Sequence, residues 1–139
     1  MSSVPTTGQA SQATRKVITV GADLADVTEV RKSLRNFGGS YLERVFTCNE
    51  AAHGLQADDP ATELACIFAV KEAVGKVLAD VRPRWTAIEV SPRLEGGFEV
   101  HLTGDAAYFA ELRGITGFAV NVSRDGELAT AVVFAMGPC

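Results

Sequence analysis

The chain has 139 residues, enough for one domain of ordinary size, and its 47% hydrophobic fraction can fill a core. A net charge of −4 argues against a nucleic-acid partner, which calls for a basic face. No apolar run approaches the roughly 20 residues that a membrane span requires.

Met1 to Thr14 is polar and lacks a signal-peptide core, which predicts a disordered tail ahead of a single domain over residues 15–139. The cysteines, Cys48, Cys66 and Cys139, are odd in number and widely spaced. No metal or redox-pair spacing results, so a reduced, cytoplasmic protein is expected. His53 and His101 are too isolated to argue a zinc site or a catalytic triad.

Lys16 to Gly21 reads as a first strand, with Asp23 just past its end. Helical spacing of Val27, Val30 and Leu34 predicts a helix from about Asp26 to Phe37, stopped by Gly38-Gly39. Tyr41, Leu42, Val45 and Phe46 suggest a further helical turn or two. Thr47 with Glu50 three residues on has capping-box spacing and starts a short helix. His53 to Asp58 reads as a polar loop.

Asp59-Pro60 supplies a cap and first-turn proline for a long helix ending near Asp80, before Pro83. Trp85 to Val90 and Phe98 to Leu102 read as strands joined across Glu95-Gly96-Gly97. Asp105 to Arg113 reads as a helix with Gly114 at its C-terminus. Phe118 to Ser123 and Leu128 to Phe134 form a last strand pair, with Arg124-Asp125-Gly126 as the tight turn. The sum is an α+β domain: one lone strand, helices, then a small antiparallel sheet wrapped around the long central helix.

The long helix carries the most informative segment, Phe68-Ala69-Val70-Lys71-Glu72-Ala73-Val74-Gly75-Lys76. Leu64, Ala65, Ile67, Phe68, Val74, Val77 and Leu78 make a core face along it. Phe68, Glu72 and Lys76 are four apart and stack along one side. A carboxylate beside an apolar stripe costs free energy unless a cation or hydrogen bond satisfies it. On spacing alone, Glu72 and Lys76 read first as an exposed ion pair worth a few tenths of a kcal/mol, since such pairs are common on helices.

Four ordered blocks decide between these readings. They are Val20-Gly21-Ala22-Asp23-Leu24-Ala25-Asp26-Val27; Leu42 to Thr47 with Asn49-Glu50; Phe68 to Lys76; and the closing strands Ala87 to Val90, Val120 to Ser123 and Ala129 to Val133. Over residues 17 to 135 the chain resembles the holo-acyl carrier protein synthases, the small trimeric class of 4′-phosphopantetheinyl transferases. The third block, matching Phe-Ala-x-Lys-Glu-Ala-x-x-Lys, is the most specific.

The resemblance implies that fold and its reaction: magnesium-dependent transfer of the phosphopantetheine arm of coenzyme A to a serine of an acyl carrier protein, in fatty-acid or polyketide biosynthesis. It implies Asp23 and Glu72 as metal ligands, and Asp23, Glu72 and Lys76 as catalytic residues. Lys71, Lys76, Phe68, Ser123 and Arg124 are expected to contact coenzyme A. A homotrimer with sites between subunits is implied.

The chain also departs from the family. The glycine-rich turn expected after Lys76 is replaced by Val77-Leu78-Ala79-Asp80-Val81-Arg82. Ile67 stands where the family has arginine, and Gly96-Gly97-Phe98 where it has Gly-Lys-Pro. Ser123-Arg124 replaces Ser-His, and Glu29 replaces an arginine that meets the carrier protein. Each lost charged contact weakens binding by about 1.5–3 kcal/mol; Arg82, Arg84 and Arg124 are the cations available to compensate. Two alternatives remain open. One is a same-fold protein of changed chemistry, with Asp23 and Glu72 as acid and base on a carrier-bound or free intermediate. The other is a non-catalytic module that binds a carrier protein.

Overall fold

The computed structural model describes residues 15–78 and 82–139. The expected disordered tail, Met1 to Thr14, and the end of the long helix at Asp80 lie outside the described residues.

The first strand, β1, runs over Arg15–Asp26, five residues beyond the expected end. Asp23 therefore lies inside it. Nor is β1 alone: it pairs antiparallel with β5 (Leu128–Pro138), which pairs on its other side with β4 (Gly117–Asp125), giving the order β1-β5-β4. The single sheet expected is in fact two, because β2 (Ile88–Pro92) and β3 (Phe98–Leu102) form a separate antiparallel hairpin. Strand pairing over such a sequence separation leaves no local signal.

Between β1 and the hairpin lie α1 (Val27–Phe37), α2 (Gly39–Val45), α3 (Cys48–Leu55) and α4 (Pro60–Leu78). The N-caps act as read: the Asp26 carboxylate accepts from the Thr28 N–H, and Thr47 and Glu50 form a reciprocal capping box. Helix α3 continues through His53 to Leu55, so the loop expected from His53 begins later. Trp85–Ala87 is a single 3₁₀ turn and the strand starts only at Ile88. Helix α5 (Gly104–Leu112) crosses before β4. In the β4–β5 hairpin Asp125 pairs with Leu128, so the turn is Gly126-Glu127, one residue past the expected Asp-Gly. Gly126 takes φ 59°, the positive value the primed turns require.

Helix α4 is the axis of the domain. Leu64, Ala65, Cys66, Ile67, Ala69, Val70, Ala73, Val74 and Leu78 are inaccessible to solvent. Cys66 is a small core residue, as its sequence position suggested. The helix packs against the inward row of β5, Ala129, Ala131, Val133 and Ala135, all fully buried. Small residues in that row let helix and sheet approach closely.

The outward sheet face follows the alternation of the strands. Val20 opposes Phe134, which opposes Ala119; Ala22, Val132 and Asn121 form the next row, and Leu24, Thr130 and Ser123 the third. Val20, Leu24 and Phe134 are 51%, 57% and 39% exposed. The chain thus presents an apolar sheet face to solvent.

Candidate active site

Gly21 brings β1 against α4. A Cβ there would lie 2.6 Å from the Ala73 carbonyl oxygen and 2.7 Å from Val77 Cγ1. Only glycine permits that approach, and it sets Asp23, two residues on and on the same strand face, against the Glu72 side of the helix. Lys76 joins them, its Nζ 3.3 Å from Asp23 Oδ1 and 3.4 Å from the Ala22 carbonyl oxygen. Asp23, Glu72 and Lys76 therefore converge.

Asp23 Oδ1 accepts the Leu24 N–H at 2.8 Å, whereas Oδ2 is buried with no donor facing it among the described residues. Burial, reinforced by the hydrogen bond to Asp23 and its charge, raises Glu72 to about 7. Burial works the same way on Asp23, but hydrogen bonds from Glu72, the Leu24 N–H and Lys76 outweigh it and bring Asp23 below its ordinary value. Two like charges held this close favour protonation of one of them, and burial makes that one Glu72.

The same geometry fits a magnesium ion. Two carboxylates, one with a buried oxygen lacking a donor, are what that ion takes from protein while keeping waters and phosphate oxygens. No group of three or more metal-ligating side chains occurs among the described residues, so the remaining ligands would come from elsewhere.

A groove of about 360 Å³ leads off Glu72, lined by Leu24, Val30, Tyr41 and Phe68 with Asp26 and Glu29 on its rim. Phe68 forms its wall: one edge meets Phe46 (6.5 Å between ring centroids) and the other Trp85 (5.1 Å). Arg82 stacks on Trp85 at 4.5 Å and points its guanidinium at Glu72, 4.0 Å away. Of the arginines flanking Pro83, Arg82 reaches the carboxylate pair. Arg84 lies instead beside Asp105, whose Oδ2 accepts the Arg84 N–H at 3.1 Å.

Two expected site residues lie elsewhere. Lys71, expected among the coenzyme A contacts, is inaccessible to solvent. Its Nζ donates to Glu50 Oε1 and to the Ile88 carbonyl oxygen, both at 2.6 Å, and Glu50 Oε2 accepts the Val90 N–H at 2.7 Å. This cross-brace ties α4 to α3 and β2 and leaves Lys71 no path to a ligand. Burial lowers Lys71 and raises Glu50, each opposed by the other's charge. The capping-box motif identified Glu50 only as a helix cap; its second partner depends on the packed fold.

Arg124 is the second. It pairs with Glu63 at 2.9 Å in a separate pocket of about 330 Å³, lined also by Arg93, Gly96, Gly97, Phe98 and Val122. Glu63 and Glu72 are nine residues apart on α4; at 100° per residue they point to opposite sides of the helix. Within this chain the carboxylate pair and the Arg124 pocket thus face away from each other. Ser123, next to Arg124, lies on the outward apolar sheet face.

Residues 19–133 match the model of the 4′-phosphopantetheinyl transferase superfamily. The chain belongs to this family. The holo-[acyl-carrier-protein] synthase of Desulforudis audaxviator is 38% identical over 125 residues, covering 88% of this chain and 95% of the relative. The crystal structure of the synthase from Neisseria meningitidis superposes with a TM-score of 0.77 at 24% identity, covering 86% of this chain and 98% of that one. A Chronobacterium ammoniagenes synthase in complex with coenzyme A superposes with a TM-score of 0.65 at 26% identity, covering 87% and 97%. The α+β fold and the holo-acyl carrier protein synthase resemblance read from the sequence are those of this transferase family, and the chain is a member of it. No helix among the described residues is long and apolar enough to cross a membrane.

Proposed function

We propose that this transferase moves the 4′-phosphopantetheine arm of coenzyme A onto a serine of an acyl carrier protein. The carrying observation is the convergence of Asp23, Glu72 and Lys76, in a family whose relatives are named for that carrier and include a coenzyme A complex. The serine oxygen bonds to the phosphorus bearing the pantetheine arm. The bond from that phosphorus to the bridging oxygen breaks, and adenosine 3′,5′-bisphosphate leaves. The serine proton passes to the Glu72 carboxylate or to a water it holds.

Asp23 and Glu72 would hold the magnesium ion, which when bound neutralises charge on the diphosphate. Lys76, 54% exposed, is free to turn from Asp23 toward a phosphate oxygen. Phe68 walls the groove beside the reacting atoms. Arg82 supplies a cation at the site where the family's glycine turn is missing.

The nucleotide half of coenzyme A is assigned to the pocket of Arg124 and Gly96-Gly97; Ser123, on the opposite sheet face, is not part of it. Since that pocket and the carboxylate pair face opposite ways, the complete site is assigned to the junction of two protomers. The exposed rows of Val20, Leu24 and Phe134 support a homotrimer assembled through the sheet face. The free cysteines suit the cytoplasm, and the carrier is assigned to fatty-acid or polyketide synthesis.

The test is incubation with coenzyme A, magnesium and a panel of apo carrier proteins, followed by mass spectrometry. Gain of the phosphopantetheine mass by a carrier, abolished in Glu72→Gln and by chelation of magnesium, is expected. No gain on any carrier overturns the reading. Sedimentation of the intact protein at three times the protomer mass is expected for the assembly, and a monomer would refute it.

A further inference from the structure

Every cation lining the hairpin pocket is already matched by a carboxylate. Arg124 pairs with Glu63 at 2.9 Å, and Arg93 with Glu95 at 3.2 Å. The two pairs are not alike. Arg93 and Glu95 are half or more exposed, so the pair is readily exchanged for water. Glu63 is only 13% exposed and held from both sides: His53 Nε2 lies 2.8 Å from its other oxygen. Helix α3 positions His53, α4 positions Glu63 and β4 positions Arg124, so three elements fix the arrangement. One turn along α4, Ile67 is fully buried and adds no charge.

An anion entering this pocket meets a half-exposed Arg124 already paired to a carboxylate held from two sides, and an Arg93 whose exposed charge is screened by solvent. The remaining lining, Phe98, Val120, Val122 and the Gly96-Gly97 backbone, offers an apolar surface and peptide groups, which suit an uncharged base and sugar.

We infer that Glu63 is a specificity-determining residue that neutralises Arg124, so that the enzyme recognises the adenosine of its donor without recognising the 3′-phosphate. His53 is a positioning residue that holds Glu63 in place. The inference rests on the functional reading above, which puts the nucleotide half of coenzyme A in this pocket. It predicts that 3′-dephospho-coenzyme A is an alternative donor. The same phosphorus–oxygen bond then breaks, and adenosine 5′-monophosphate leaves in place of the bisphosphate.

The experiment compares kcat/KM for coenzyme A and 3′-dephospho-coenzyme A with the same carrier protein, reading carrier mass and the released nucleotide. The wild-type ratio is expected within about threefold. Glu63→Gln frees the Arg124 charge and should raise the preference for coenzyme A about tenfold or more, as for a charge-assisted phosphate contact. Adding Arg124→Gln to that variant should cancel the gain. Melting temperatures of the variants establish that they are folded. A wild-type preference for coenzyme A above about threefold overturns the inference while leaving the functional reading intact. So does a folded Glu63→Gln protein whose ratio does not move. Transfer from neither donor overturns the functional reading, and this inference with it.

Discussion

Lys71→Met is the perturbation that most directly tests how α4 is held. Lys71 is fully enclosed and donates at 2.6 Å to both Glu50 and the Ile88 carbonyl oxygen. Methionine nearly preserves the volume but leaves the Glu50 carboxylate buried without its cation. Removing one partner of a buried pair costs about 3–5 kcal/mol. For a chain of this size, each kcal/mol shifts the melting temperature by about 3–5 °C, so a fall of about 10–25 °C is expected. The companion variant, Glu50→Gln with Lys71→Met, removes both charges and retains an amide oxygen for the Val90 N–H. It should recover at least about 2 kcal/mol relative to the sum of the single changes, because the loss lies in the stranded charge rather than in the contact itself. The assay is urea unfolding of all four proteins at one fixed protein concentration, since the proposed assembly would add a concentration-dependent contribution. A Lys71→Met cost under about 1 kcal/mol, or strict additivity in the double variant, would refute the argument.

Three further outcomes are expected. Glu72 is raised in the folded protein from 4.5 to about 7, so the folded state holds a proton that the unfolded state has released. Metal-free stability therefore falls as pH rises from about 4.5 through 7. Thermal melts at pH 4 and 8 should show wild type losing ground to Glu72→Gln across that window, with magnesium at pH 8 restoring the wild type alone; parallel curves would refute it. Gly21→Ala places a Cβ 2.6 Å from the Ala73 oxygen and should cost about 1–3 kcal/mol in urea unfolding while lowering transfer activity. Arg82→Gln removes a cation that depresses the Glu72 pKa, so the acidic limb of the pH–rate profile should move to higher pH; an unmoved limb would exclude Arg82 from the site.

Much of the fold was legible because it is local. The capping residues Asp26 and Thr47 and the periodic core of α4 all act over a few residues. What escaped was long-range. Pairing of β1 with β5 joins the two ends of the chain, and the apparent loop at His53 is helical because α3 packs against α4 and meets Glu63. At the site, motif spacing placed Phe68, Glu72 and Lys76 on one helix face, and the signature brought in Asp23. It misassigned Lys71, because a lysine beside a catalytic-type glutamate looks the same in sequence whether it faces ligand or core. Arg82 was legible only as one of several nearby cations; its stacking on Trp85 depends on how the chain returns after Pro83.

The opposed faces of α4 bear on how such an assembly fails. In the proposed trimer each helix serves one site with Glu72 and a neighbouring site with Glu63, so every protomer is half-owner of two sites. A chain lacking Glu72 and a chain lacking a working nucleotide pocket are each inactive alone. Mixed, they form junctions in which the intact half of one meets the intact half of the other, and a predictable fraction of sites returns. Loss of a chain by dilution, by contrast, disables the sites on both of its flanks at once.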